Sequence, residues 1–230
     1  MTLRVPGGGI GRRPHGVDWV GGKSAAESLG GQVQDSLFGK PKPPILDQDD
    51  ADAAHLMARL QSFRKKLARL VGDDEDDYRL LLAAGTIAMI DREGTIYVGK
   101  EFLLEYAEQL PVQVGVLAHE IGHRPHRWDA YRSEGPRTKE EMEDLCRLEE
   151  TRADYFSGWA LGQLGLAVDP VCGFLEAVQV HPHPEYFSAK LRGETIREGH
   201  GAGHRRSVNL KKFFPELARK LTAKDDLGSG

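Results

Sequence analysis

"PVQVGVLAHEIGH", Pro111 to His123, decides how the rest of the chain is read. Proline suits the first turn of a helix, where its missing N–H is not needed, and the apolar run through Val116 and Leu117 carries this helix into a core. Four residues advance a helix by about 400°, so His119 and His123 lie within about 40° of one another and their rings can converge on one ion. Glu120 lies one position round the helix and can reach a water on that ion without being a ligand itself. Gly122 costs ~1 kcal/mol relative to alanine inside a helix, and it leaves room for another backbone or a substrate to approach. The bland alternative is a solvent-exposed polar turn. Val116 and Leu117 count against it, because buried and unpaired His and Glu side chains are expensive. Pro125 stops the helix just past His123, which leaves "RPH" to the connecting loop.

A catalytic zinc ion needs a third protein ligand and an open position for water. The stretch "EEMEDLCRLEETRADYFSGWALGQL", 140–164, supplies a candidate. Thr138 as N-cap and Glu141 three residues on form a capping box, which predicts a helix from there to about Leu164. Around Glu150, the residues Cys146, Ala153, Ser157, Leu161 and Leu164 all fall within about 60° by helical period, so Glu150 points along the buried stripe. Glu149 and Arg152 turn away from that line and can face water. A carboxylate on a stripe of small and apolar side chains calls for a buried cation, which two histidines on a neighbouring helix would present. Asp154, one turn on, is placed to accept the other ring N–H of His119 and fix that ring's orientation. Its alternative is a surface salt bridge with Arg124 or Arg127.

The remaining segments sketch an α+β chain, mostly α. In "DAAHLMARLQSFRKKLARLVG", Leu56, Leu60, Phe63, Leu67 and Leu70 recur at steps of three and four before Gly72, an amphipathic helix with a basic outer face. The acidic run Asp73 to Asp77 reads as a solvated loop, since it lacks the spacing and glycine of a calcium loop. "TIAMI" and "TIYVG" flank "DREG" and predict a hairpin turning at Gly94. "KEFLLEYAEQL" is a short helix ended by Pro111. Beyond Gly165 the sequence is rich in Gly, Pro and His until a last short helix, "FFPELARKLTAK". In the glycine-rich stretch before that helix, His200 and His204 have no carboxylate or cysteine at ligand spacing, and a flexible loop is the simpler reading than a second metal site. Residues 1–45 read as a flexible Gly/Pro-rich tail, 46–224 as one domain and 225–230 as a disordered end.

Thirty-one basic against 35 acidic residues give a net charge of −4, with no basic stripe interleaved with aromatics, so nucleic acid is not an expected partner. No stretch approaches the ~18 consecutive apolar residues of a membrane span, and the N-terminus lacks the apolar run of a secretory signal. A soluble protein follows, cytoplasmic or exported by a route without a cleavable signal peptide. Cys146 and Cys172 are too few for a disulfide framework; two thiols or one bridge are both open.

"HEIGH" followed by "ETRAD" resembles the gluzincin metallopeptidases, in which HExxH supplies two zinc ligands and the glutamate of a downstream ExxAD the third. "GTIYVGKEFLLEYAEQLPVQVGVLAHEIGH" resembles the HtpX and CAAX-type peptidases, with a strand, a short helix and the active-site helix in that order. The resemblance runs over about 87–199 and is specific at the two motifs. It implies a zincin-like minimal gluzincin domain without the membrane helices of those families, with a small antiparallel sheet and an active-site helix packed on a second ligand-bearing helix. The strand near Thr95 to Val98 would be the cleft edge to which an extended peptide adds. Those families often carry a His-Pro and, further on, an arginine near the site. "HPHPEYFSAKLRGETI" offers His183, or His181, and Arg192 at a longer separation, as groups that bind substrate or stabilise the oxyanion. "HEIGH" and "ETRADYFSGWAL" also resemble the ImmA/IrrE-like peptidases that act on repressors.

Taken together these readings predict one catalytic Zn²⁺ on His119, His123 and Glu150, with Asp154 behind them. Glu120 would be the general base for a zinc-bound water that hydrolyses a peptide bond of a protein or peptide substrate. The alternatives are a regulatory protease cutting one partner, and a non-catalytic module whose zinc, with His126 as fourth ligand, ties two helices together around a bound peptide.

Overall fold

The computed structural model describes residues 41–124, 138–181 and 183–205. The tail before residue 41, the connecting loop with Pro125, His126 and Arg127, the expected helix at 213–224 and the chain end all lie outside the described residues.

Helix α1, Ala54–Val71, buries Leu56, Leu60 and Leu67, with Gly72 in the left-handed region (φ 71°) closing its C-terminus. Its outer face is less uniform than the spacing implies. Arg64 is buried, donating to the carbonyls of Glu75 and Tyr78. The first of those carbonyls belongs to the acidic run and the second follows it directly, so the run is not simply solvated. Asp74 caps a single 3₁₀ turn, Glu75–Asp77, and the Asp73 side chain turns inward to accept the Tyr78 hydroxyl at 2.7 Å.

The expected hairpin forms from β2, Ala88–Ile90, and β3, Thr95–Gly99. The sheet is nevertheless mixed rather than antiparallel, because β1, Arg79–Ala83, pairs in parallel with β3 and gives the order β1-β3-β2. "RLLLA" has no polar alternation, as befits a strand covered on both faces, and periodicity alone does not separate such a run from helix. This order puts the strand expected at an edge, Thr95 to Val98, in the middle of the sheet. β3 is hydrogen-bonded on both sides and cannot accept a further strand, whereas among the described residues β2 pairs only with β3. Residues 44–46 lie along the opposite flank, with an Ile45–Ala83 bridge, and Lys42 reaches Asp91, just after β2, in an ion pair of 2.8 Å.

After the short helix α2, Lys100–Glu105, comes α3, Leu110–His123, with Pro111 in its first turn as expected. Buried Gln113 donates to the carbonyls of Leu103 and Tyr106, which α2 leaves exposed at its end, and accepts from Arg59 of α1. The next helix, α4, spans Lys139–Leu164 with the Thr138–Glu141 capping box and Gly165 as its left-handed stop.

Two helices follow where the sequence suggested loops: α5, Asp169–Val178, and α6, Ala189–Arg205. The glycines of α6 are its packing surface. A Cβ on Gly199 would lie 2.1 Å from the Tyr155 carbonyl oxygen, and one on Gly158 of α4 would lie 1.9 Å from that of Ile196, so the two backbones touch. His200 and His204 therefore sit on a helix, not in a loop, with rings 4.6 Å apart, and His200 Nε2 reaches the Leu166 carbonyl. With α3 and α6 on different sides of it, α4 is buried at every position from Ala153 to Gly162. Glu149, expected to face water, is 0% exposed and pairs with Arg152. Cys146 on α4 and Cys172 on α5 are buried thiols, not a disulfide. Among the described residues no helix is long and apolar enough to cross a membrane.

Candidate metal centre

Helix α3 ends at His123, and Arg124 takes a left-handed conformation (φ 45°). A residue followed by proline is disfavoured in the right-handed helical region, which accounts for the stop. A non-glycine residue with positive φ needs support. Arg124 has it: Nη2 donates to Asp73 Oδ1 at 2.6 Å, and both side chains are buried. Two residues earlier, Gly122 lets α4 come close, since a Cβ there would lie 2.9 Å from Ala153 Cα. Further up α3, Ser157 Oγ donates to the Gly115 carbonyl at 2.7 Å. The two helices are thus held along the faces that carry the polar residues.

Those faces bring His119, His123 and Glu150 together. One donor atom from each lies within 4.8 Å of the others, and all three residues are buried. His119 Nε2 is 3.2 Å from one Glu150 oxygen and His123 Nε2 is 3.7 Å from the other, with the two rings edge to face. Donors bound to one tetrahedral zinc at ~2.0–2.1 Å would be separated by roughly 3.3 Å. Two imidazole nitrogens and a carboxylate are also a donor set that suits zinc. The cluster could hold a metal ion.

Behind the cluster, His119 Nδ1 lies 3.0 Å from Asp154 Oδ1, the contact the helical spacing anticipated. Arg124 is engaged with Asp73 instead. The cation facing Asp154 is Arg192 of α6, whose Nε and Nη2 donate to its two oxygens at 2.7 and 2.9 Å. Nη2 also reaches Glu150 at 3.3 Å, and Nη1 reaches Gln179 Oε1 at 3.2 Å. Burial alone would lower the His119 pKa, yet the hydrogen bonds to Asp154 and Glu150 outweigh it and raise it to about 10. Burial would raise Glu150, but the charge of His123, the bond to His119 and the charge of Arg192 hold it down at about 2. Burial likewise opposes the ionised form of Asp154, and Arg192 and His119 keep its pKa below the ordinary value.

A cleft of about 510 Å³, mouth included, opens beside the cluster. His119, Glu120 and Asp154 stand on its polar wall, and Ile87, Val171, Phe174, Leu175 and Ile196 give it an apolar lining. Glu120 itself is buried at this wall. His183 sits in the segment between α5 and α6, where its Nδ1 accepts from the Glu185 N–H at 3.2 Å and its ring packs 5.3 Å from that of Tyr186. Tyr186, Asp73 and Gln179 were not picked out from the sequence. Each reaches the site or its supports by packing between separate elements, which no spacing within one segment records.

No family model, curated protein or solved structure matches the chain.

Proposed function

We propose that the chain is a zinc-dependent endopeptidase, a minimal domain of gluzincin type, whose ion is held by His119, His123 and Glu150. One observation carries the reading: a buried two-histidine, one-carboxylate cluster has a further carboxylate, Glu120, beside it on the wall of an open cleft. When bound, zinc supplies Lewis-acid polarisation of a carbonyl and acidifies water enough for it to act near neutral pH. Glu120 takes a proton from the attacking water as the new C–O bond forms. It returns that proton to the nitrogen as the C–N bond breaks, so one water is consumed and an acid and an amine leave. Asp154 holds the His119 ring through Nδ1, and Arg192 holds Asp154 and Glu150. Arg192 is thus a positioning residue. The substrate is a protein or peptide laid in extended form along β2, because Ile87, next to that strand, shares the cleft with Glu120.

The test is Glu120→Gln. It is expected to keep zinc at the wild-type stoichiometry and to lose about 10²–10⁴ in peptide hydrolysis. Equal cleavage by both forms of every peptide the wild type cuts would overturn the assignment.

A further inference from the structure

We propose that His200 and His204 form a second metal site, which faces solvent and takes a late first-row divalent ion, Cu²⁺ most tightly, on two neighbouring imidazoles with water in the remaining positions. It stands independently of the peptidase reading. In "GHGAGH", 199–204, a loop would leave the two rings without a fixed relation, and α6 gives them one. Residues four apart share a helix face, and the ring centres lie 4.6 Å apart with their planes at 88°. His119 and His123 on α3 show nearly the same arrangement, 4.8 Å and 88°.

One shared ion requires such a spacing. A nitrogen bound at ~2.0–2.1 Å puts its ring centre roughly 3.2 Å from the metal, so two imidazoles at a right angle about the ion have centres about 4.5 Å apart, and about 5.2 Å at the tetrahedral angle. The α6 pair lies at the right-angle end. That angle belongs to the tetragonal sites of Cu²⁺ and Ni²⁺, and copper binds imidazole more tightly than its neighbours in the row. Among the described residues no carboxylate or thiol completes a three-residue set with the pair. Hard cations, which want several oxygen ligands, are therefore not expected there.

The rings are also prepared for the ion. His200 Nε2 lies 2.9 Å from the Leu166 carbonyl, which can only accept, so Nε2 carries the proton and the lone pair stands at Nδ1. Giving the other ring N–H to such an acceptor is the usual support of a metal-bound histidine. The backbone beneath is fixed by the glycine before each histidine. Gly199 meets the Tyr155 carbonyl, a Cβ on Gly203 would lie 2.3 Å from that of Trp159, and Gln163 donates to the Gly203 carbonyl. His200 is half-buried and His204 exposed, so an ion reaches the pair and keeps its waters. The two histidines follow Arg192 by roughly 12 and 18 Å along α6, and the two sites share no residue.

The experiment titrates the full chain, pre-loaded with zinc, with Cu²⁺ in a non-chelating buffer, comparing wild type, His204→Gln and His200→Gln by calorimetry and by electron paramagnetic resonance of the bound copper. Wild type is expected to bind one copper ion more than either variant, and that ion should show splitting from imidazole nitrogen that both variants lose. His204→Gln alters an exposed side chain and should melt at the wild-type temperature, so its loss of copper is not a loss of fold. Copper bound elsewhere on the chain is common to all three and cancels, and the difference is read whatever the His119 cluster holds. Equal copper counts and affinities in wild type and His204→Gln overturn the proposal. Loss of the ion with His204→Gln but not with His200→Gln overturns the pairing.

Discussion

His119 is held from both sides, by Glu150 at Nε2 and by Asp154 at Nδ1, and this makes a proton and a metal ion rivals for the same ring. Its pKa is raised from 6.5 to about 10, so in the metal-free protein the ion pair is complete below pH 6.5 and is lost as pH rises through about 10. Glu150 is lowered from 4.5 to about 2, so its share is present above pH 4.5 and lost as pH falls through about 2. Zinc must displace the His119 proton, and its affinity should therefore climb with pH between these limits. Calorimetry in buffers of differing ionisation enthalpy should find about one proton released per ion at pH 7; release of none would show that His119 is neutral before binding. Asp154→Asn should weaken zinc binding by about 10–100-fold, the usual cost of losing the partner that orients a ligand histidine. An unchanged dissociation constant would deny Asp154 that part. His119, His123, Glu150 and Asp154 were legible in the sequence because helical period fixes the relative directions of side chains on one helix. Arg192 was legible as a residue of the site but not as the clamp on Asp154, since its direction is set by how α6 lies on α4.

At the scale of elements, the ligand-bearing helices were readable from punctuation: Pro111 at one start, Thr138 and Glu141 at the other, Gly165 at the stop. Thr138→Ala should cost about 1 kcal/mol in urea unfolding and leave zinc affinity alone, because the cap lies three turns from Glu150. Helices α5 and α6 were hidden by their own composition. Glycine has low helix propensity, so "GETIREGHGAGH" looks unstructured until α4 is beside it. The benefit of those glycines is close approach, a tertiary effect. Gly199→Ala tests this, since its methyl would lie 2.1 Å from the Tyr155 carbonyl oxygen. We expect a loss of about 1–3 kcal/mol, typical of overpacking, and a weaker zinc site as α4 shifts. A melting temperature equal to wild type would mean that the crossing is looser than drawn. The mixed sheet went unread for a related reason, in that β1 is an unbroken apolar run whose partner is not its sequence neighbour.

For the whole molecule, an ion bound by residues of α3 and α4 stabilises the folded state by mass action. At free zinc 1,000 times the dissociation constant the gain is about 4.1 kcal/mol, or about ten degrees in melting temperature for a chain of this size. Chelation should reverse it, and identical melting curves with and without chelator would argue against a site in the folded protein. The buried thiols of Cys146, one turn before Glu150, and Cys172, on the helix lining the cleft, offer a second view of the same event. An alkylating reagent can reach them only when their surroundings open. Their modification rates would therefore time how often each wall of the site parts from its neighbours, a clock that needs no substrate to be known.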